Sequence, residues 1–364
     1  MKAIIVSCCL ALALASAGQP LPSIREKTRG WQRHAGFQPY YLDEDQGKIW
    51  LEISRWNTEW LYVTSLPAGL GSNDVGLDRG KLGEERVVKY QRNGRKVWLL
   101  APNYAYRANS TDSNERRAVE QSFAQGILAS FNIEAASGDT VLVDATDFVL
   151  RDALKITNTL RRSGQGSYNL DRNRSGLYLP RTKAFPQNTE VEATITFTNT
   201  DGNVGAYVRS VAAAEEAITL RQHHSFVQLP DVGYRPRVFD ARSSFISTSY
   251  FDYATPVNEP IEKFFIIRHR LEKKDKTAAI SDPVKPIVYY LDNGTPEPIR
   301  SALLEGARWW NQAFEAAGYR NAFQVELLPD SADPMDIRYN MINWVHRSTR
   351  GWSYGSSVVD PRTG

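Results

Sequence analysis

Cysteine is almost missing from this chain. Cys8 and Cys9 are its only two in 364 residues, and both sit in the apolar run at the N-terminus. If that run is removed, the remainder has no thiol, which excludes disulfides, cysteine metal sites and a thiol nucleophile. Beyond it, no apolar stretch reaches the ~20 residues a helix needs to cross a bilayer. An excess of one charge is also lacking. Lys and Arg number 44 against 41 Asp and Glu, interspersed, for a net charge of +3. That balance argues against a nucleic-acid or membrane-surface binder. Histidines are few (His34, His223, His224, His269 and His346), and no two have the His-Glu-x-x-His spacing of a zinc-binding helix. There is no Gly-x-Ser-x-Gly elbow, no repeat of solenoid period and no low-complexity tract.

What is present starts with an export signal. Met1-Lys2 is a short charged start, Ala3 to Ala15 is apolar, and Ala15-Ser16-Ala17 is a small-x-small cleavage site. The chain is therefore expected to be exported, to the periplasm, the outer surface or the medium. About 345 residues remain, enough for two or three domains. A hydrophobic content of 42% is ample for a core, and the Tyr, Trp, Thr and Val content leans toward β structure. The expected divisions are a signal peptide at 1–17, a small β-rich segment at 18–75, a β-rich accessory or prosegment-like domain at 76–280, and a distinct unit at 281–364.

Strand signals fill the middle of the chain. Lys48–Ser54 and Glu59–Thr64 alternate apolar and polar residues, as half-buried strands do. Arg86–Gln91 and Lys96–Ala101 flank Arg92-Asn93-Gly94-Arg95, and Asn-Gly between two such runs predicts a hairpin. Further strands are predicted at Thr140–Asp144, Val191–Phe197, Ala217–Gln222 and Glu262–Arg268. Val119, Phe123, Ile127 and Phe131 recur four apart, which predicts a helix from Asn114 to Ser130. The polar, Gly-containing stretches Arg161–Tyr168 and Leu170–Gly176 read as an exposed loop. A charged linker at Leu271–Thr277, followed by Pro283 and Pro286, sets the boundary near residue 280.

The last eighty residues differ in pattern. Lys285–Asp292 is a compact apolar strand, Thr295 and Pro296 suit a helix start, and Ile299, Leu303, Ala307, Trp310, Phe314 and Ala317 keep helical spacing up to Gly318. Phe323–Leu328 and Asp336–Val345 read as two more strands. Four stretches here, Pro286–Leu291, Glu305–Glu315, Trp344–Ser348 and Gly351–Ser357, together with Gly76–Gly80, Leu142–Phe148, Thr182–Glu190 and Arg268–Lys274, resemble a family of large, secreted bacterial zinc-dependent metalloproteases. Members of that family carry a long N-terminal region before a Met-turn catalytic domain.

The resemblance implies an α+β protein. A β-rich N-terminal region would be followed by the incomplete upper subdomain of a metzincin-like zinc protease. It implies a zinc endopeptidase acting on protein or peptide substrates, with the zinc ligands and general base beyond Gly364, so that the 364 residues contain no catalytic or metal-ligating residue and are inactive alone. It also implies a substrate-lining edge strand at Ser353–Asp360, with Tyr354, Gly355, Ser356, Ser357 and Val358 as substrate-binding residues, since small side chains let a peptide backbone approach. The competing expectation is an exported, non-catalytic β-rich binding or interaction protein, with a carbohydrate-binding module as a weaker variant.

Other candidates are modest. His223 and His224 are strand neighbours and point to opposite faces, so they cannot share one metal; one buried and one exposed histidine is expected. His269, between two arginines, reads as surface, and His346 stands nearest the expected cleft. Asp330, Asp333 and Asp336 are a candidate calcium patch, as are Asp144, Asp147 and Asp152, although neither follows the EF-hand order.

Overall fold

The computed structural model describes residues 20–231, 233–349 and 353–364. The signal-peptide expectation at 1–17 and the Gly351-Trp352 part of the resemblance lie outside these residues.

In chain order the described strands are β1 Gln32–His34, β2 Tyr40–Asp43, β3 Lys48–Ile53, β4 Glu59–Ala68, β5 Leu82–Asn93, β6 Lys96–Ala101, β7 Tyr106–Arg107, β8 Gly126–Ser137 and β9 Thr140–Asp144. They continue as β10 Tyr168–Leu177, β11 Lys183–Ala184, β12 Asn188–Asn199, β13 Ala217–Val227, β14 Ser247–Asp252, β15 Glu262–Ile266, β16 Ile287–Leu291, β17 Phe323–Leu327 and β18 Asn340–Ile342. The helices are short: α1 Ile24–Lys27, α2 Ser113–Ser122, α3 Thr146–Val149, α4 Ile156–Arg162, α5 Ala206–Val211, α6 Ile299–Arg308 and α7 Asn311–Ala316.

Twelve of these strands make one antiparallel sheet in the order β1-β2-β3-β9-β8-β6-β5-β4-β13-β12-β10, with β11 also paired to β12. It takes strands from both sides of residue 75. The sheet curls, because its two ends approach each other: Phe37 N donates to Phe185 O at 2.8 Å, and Gln38 N donates to Thr189 Oγ1 at 3.0 Å. One hydrophobic cluster fills the concave side, running from Tyr40 and Ile49 through Trp60, Tyr90 and Leu99 to Ile195, Phe197 and Phe226. Period-2 alternation places these residues on one face and drives the curl by burying them together.

The Asn93-Gly94 hairpin forms as expected between β5 and β6, with Gly94 at φ 60, the left-handed conformation such a turn requires. Two expectations need correction. The helix from Asn114 ends at Ser122, and Ile127 and Phe131 instead pair with Leu100 and Val97 of β6. The supposed loop at 161–176 contains α4 and β10, and β10 pairs with β12.

The α+β expectation, with an incomplete metzincin upper subdomain at the end, is overturned. Strand makes up 37% and helix 15% of the structure, and a large antiparallel sheet dominates. The C-terminal unit has only three short parallel strands, in the order β17-β16-β18. The long helix expected over 296–317 starts at Ile299 and breaks at Trp309-Trp310, where hydrogen bonds tighten to the i−3 carbonyl (Trp310 N to Ala307 O, Gln312 N to Trp309 O). The strand expected over 336–345 shrinks to three residues. Ser353–Asp360, expected as an edge strand, joins no sheet. A third sheet, β15-β14-β7, joins two strands that lie between the two regions in sequence to β7, which falls between β6 and β8.

Candidate functional site

A trough of about 1100 Å³ separates the outer face of the large sheet from the C-terminal unit. Its floor comes from β4, β13 and β12. Alternation sends Leu220, Gln222, His224 and Phe226 of β13 into the core and Arg221, His223, Ser225 and Val227 to the trough. On β12, Val191 and Ala193 face the core while Glu190 and Glu192 face outward, and on β4 Leu61 and Val63 do so. From Asn188 to Ala193 both faces of β12 are buried: Asn188 is bonded to Met335 and Ile337 of the C-terminal unit, and Glu192 lies under Arg181 and Arg221.

The opposite wall comes from the carboxyl ends of the parallel strands: Asp292 and Asn293 after β16, Leu328 to Asp330 after β17, and Met341 and Asn343 from β18 and its exit. In parallel sheets this end is where ligands commonly bind. Met335, Ile337 and Tyr339 complete it.

Three ionisable residues are buried in the floor. Glu192 lies directly opposite His223 in the register, and Glu190 lies diagonal to it. His223 Nε2 is 2.5 Å from Glu190 Oε2, and its Nδ1 is 3.1 Å from Glu192 Oε2. Burial alone would strip the proton from this ring. The hydrogen bonds and charges of the two carboxylates outweigh it and raise the pKa to about 9, so His223 is an imidazolium that donates from both nitrogens. Ser225 Oγ and Asn188 Nδ2 also donate to Glu190, both at 2.6 Å. Arg181 Nε donates to Glu192 Oε2 at 3.0 Å, and Arg221 Nε forms an ion pair with Glu192 Oε1 at 3.3 Å without hydrogen-bond geometry.

His224, one residue on, behaves oppositely. It is fully buried, where one exposed and one buried histidine had been expected. Tyr62 Oη donates to its Nδ1 at 2.6 Å, and its Nε2 donates to Val149 O at 2.9 Å. Burial, reinforced by the charge of Arg151, holds it neutral with its pKa well below the usual value.

Polar contacts tie the unit to the floor. Asn188 Nδ2 donates to Met335 O at 2.7 Å, and Ile337 N donates back to Asn188 Oδ1 at 3.2 Å. Arg79 Nη1 donates to Trp344 O at 3.0 Å, and Arg347 pairs with Asp78 at 2.5 Å, both side chains being nearly buried. His346 lines the trough and packs edge-on against Trp344, His269 is exposed, and His34 stacks on Tyr40.

Of the residues expected to bind substrate, Val358 lines the trough. Tyr354 lies under the Arg347 guanidinium and against Gly80, while Gly355, Ser356 and Ser357 are exposed in an irregular segment. The aspartates suggested for calcium have separate partners: Asp333 binds Lys183 at 2.6 Å, Asp336 binds Arg338 at 2.5 Å, and Asp330 accepts from Asn293. Asp144 pairs with Lys48 and Asp147 with Arg172, while Asp152 accepts from the backbone N–H of Ile156 at the start of α4. Among the described residues no three His, Cys, Asp or Glu side chains are arranged to hold a metal.

Sequence reasoning missed Glu190, Glu192, Arg181 and Arg221. Its available signal was the pair of alternating ionisable runs, Glu190-Val191-Glu192 and Arg221-Gln222-His223, within strands whose other face is apolar. No curated protein matches the chain. No solved structure matches it either. Residues 80–274, more than half the chain and including β12 and β13 of the floor, match the family described as a domain of unknown function, DUF5117, and the chain belongs to that family.

Proposed function

We propose that this chain is the peptide-holding, non-catalytic part of an exported zinc-dependent endopeptidase, whose zinc is held by residues other than those described here. The trough is the observation that supports this best. It is larger than the ~300–1,000 Å³ of small-molecule pockets, and it pairs an apolar floor of Leu61, Val63 and Val227 with the carboxyl ends of three parallel strands. An extended peptide laid along it would place apolar side chains on that floor and reach Val358, which follows Tyr354, Gly355, Ser356 and Ser357 in the chain. The similarity of several separate stretches to secreted zinc metalloproteases supplies the link to peptide hydrolysis.

A second reading, an exported peptide-binding protein with no cleavage activity, has its own support. Every ionisable group in the floor is paired with another, and none is left poised to accept a substrate proton. Zinc analysis and casein cleavage by the protein as secreted, beside anisotropy of a fluorescent casein-derived peptide on the full chain, test both. The first reading predicts about one zinc and cleavage by the secreted protein, and peptide binding without cleavage by the 364-residue chain. Binding with neither zinc nor cleavage in the secreted protein leaves the second reading. Absence of peptide binding removes both.

A further inference from the structure

Arg181 and Arg221 both line the trough, and both are anchored through Nε on the one fully buried carboxylate, Glu192. Arg221 is held further by Tyr178, whose ring lies 4.5 Å from the guanidinium carbon. Their side chains remain 39% and 31% exposed, and neither donates an Nη hydrogen bond to any described residue. Two planar guanidinium ends are thus fixed in place with their outer N–H groups unused, on the wall of a cavity. Glu190 and Glu192 do not cancel the cluster, since they set two negative charges against His223, Arg181 and Arg221. Carboxylates across the trough are committed elsewhere: Asp292 faces Arg79 at 3.7 Å, Asp333 binds Lys183 and Asp336 binds Arg338. Asp330 accepts a hydrogen bond from Asn293.

We propose that Arg181 and Arg221 form a receptor for a ligand carboxylate, so that the trough prefers peptides presenting one at this point. Arginine suits the role because its planar fork binds a carboxylate through two parallel hydrogen bonds, and anchoring the Nε atoms in advance reduces the entropy lost on binding. The inference rests on the trough holding peptide. The carboxylate comes from an acidic side chain or from a peptide C-terminus, and the chemistry at the two arginines is the same for both.

The test uses three fluorescent peptides of equal length, measured by anisotropy on the full chain. One has an internal Glu and an amidated end, one has neutral side chains and a free C-terminus, and one is neutral and amidated. At least one carboxylate-bearing peptide binds about tenfold tighter than the neutral amide, and which of them does so identifies the source. Arg181→Gln and Arg221→Gln each remove most of the advantage of the carboxylate-bearing peptide over the neutral amide measured on the same variant, whereas the Lys replacements retain part of it. Should a Gln variant fail to fold, sodium acetate on the unaltered chain provides the same check. At equal ionic strength it displaces the acidic peptide more effectively than sodium chloride. Equal binding of all three peptides, or equal displacement by the two salts, overturns the carboxylate receptor and leaves the peptide trough standing. No binding of any peptide overturns the trough itself and the receptor with it.

Discussion

The large sheet and the C-terminal unit are held together by different physics. The sheet encloses one apolar cluster to which nearly every one of its strands contributes, with residues such as Ile49, Val97, Val143 and Ile195 wholly buried. The unit buries Ile287, Leu291, Ala322, Val325 and Leu328, but neither of its helices has a buried residue, and Trp309 and Trp310 are 63% and 65% exposed. A short parallel sheet with so little apolar burial relies on its neighbour. That dependence is met by polar anchors: Asn188 to Met335 and Ile337, Lys183 to Asp333, Arg347 to Asp78 and Arg362 to Glu59. Apolar burial thus makes the scaffold, and directional bonds position the wall of the trough.

Truncating the scaffold should have the largest effect. Phe226→Ala, at a site 1% exposed, should cost about 3–5 kcal/mol by chemical denaturation. Leu291→Ala in the unit should cost less and produce a separate, earlier transition. A single coincident transition of equal cost would remove the distinction between the two regions. Next comes Asp78→Asn, which takes the carboxylate away from the nearly buried Arg347 and should cost about 3 kcal/mol. The loss should appear in hydrogen exchange as faster opening of residues 340–349, with protection of β12 and β13 retained.

The two adjacent histidines give a smaller effect that depends on pH. His223 has a folded pKa raised from 6.5 to about 9, so its contribution is complete below 6.5 and is lost as pH rises toward 9. His224 has a lowered folded pKa, so its contribution is present above 6.5 and is lost as pH falls below it. Stability should therefore be greatest near pH 6.5. His223→Gln should flatten the alkaline side and His224→Gln the acid side. A profile unchanged by either substitution would contradict the assigned protonation states. The smallest effect is expected for Trp309→Ala, within about 0.5 kcal/mol, because the ring is mostly exposed.

Much of the sheet was legible because its signals are local. Alternation marks β3 and β4, strand-forming runs mark β9 and β13, and Asn93-Gly94 fixes a hairpin by its backbone requirement alone. The failures occurred where a distant partner decides. Ile127 and Phe131 keep helical spacing yet pair with β6, since a ladder with a buried face outweighs local propensity. Tyr168–Leu177 is polar because it lies at the end of the sheet, where charged side chains such as Arg172 and Arg174 suit an unpaired edge. In the final eighty residues helical spacing pointed to a longer helix and the resemblance to a substrate-lining strand, and the structure shows neither. The trough was illegible for a related reason. Glu190, Glu192, Arg181 and His223 are spread over more than forty residues; the carboxylates meet His223 only through the β12–β13 register, and Arg181 reaches Glu192 from the segment before β11. The alternation that puts His223 and His224 on opposite faces was readable; the cover that buries His223 was not.

The measurement that bears most directly on the account is hydrogen exchange of the full chain with and without a saturating casein-derived peptide. If peptide occupies the trough, protection should rise in two separate stretches, 61–67 and 328–346, and the deep core at 141–143 should stay unchanged. Protection confined to one stretch, or appearing only on the exposed α6–α7 face, would contradict a binding site between the sheet and the C-terminal unit.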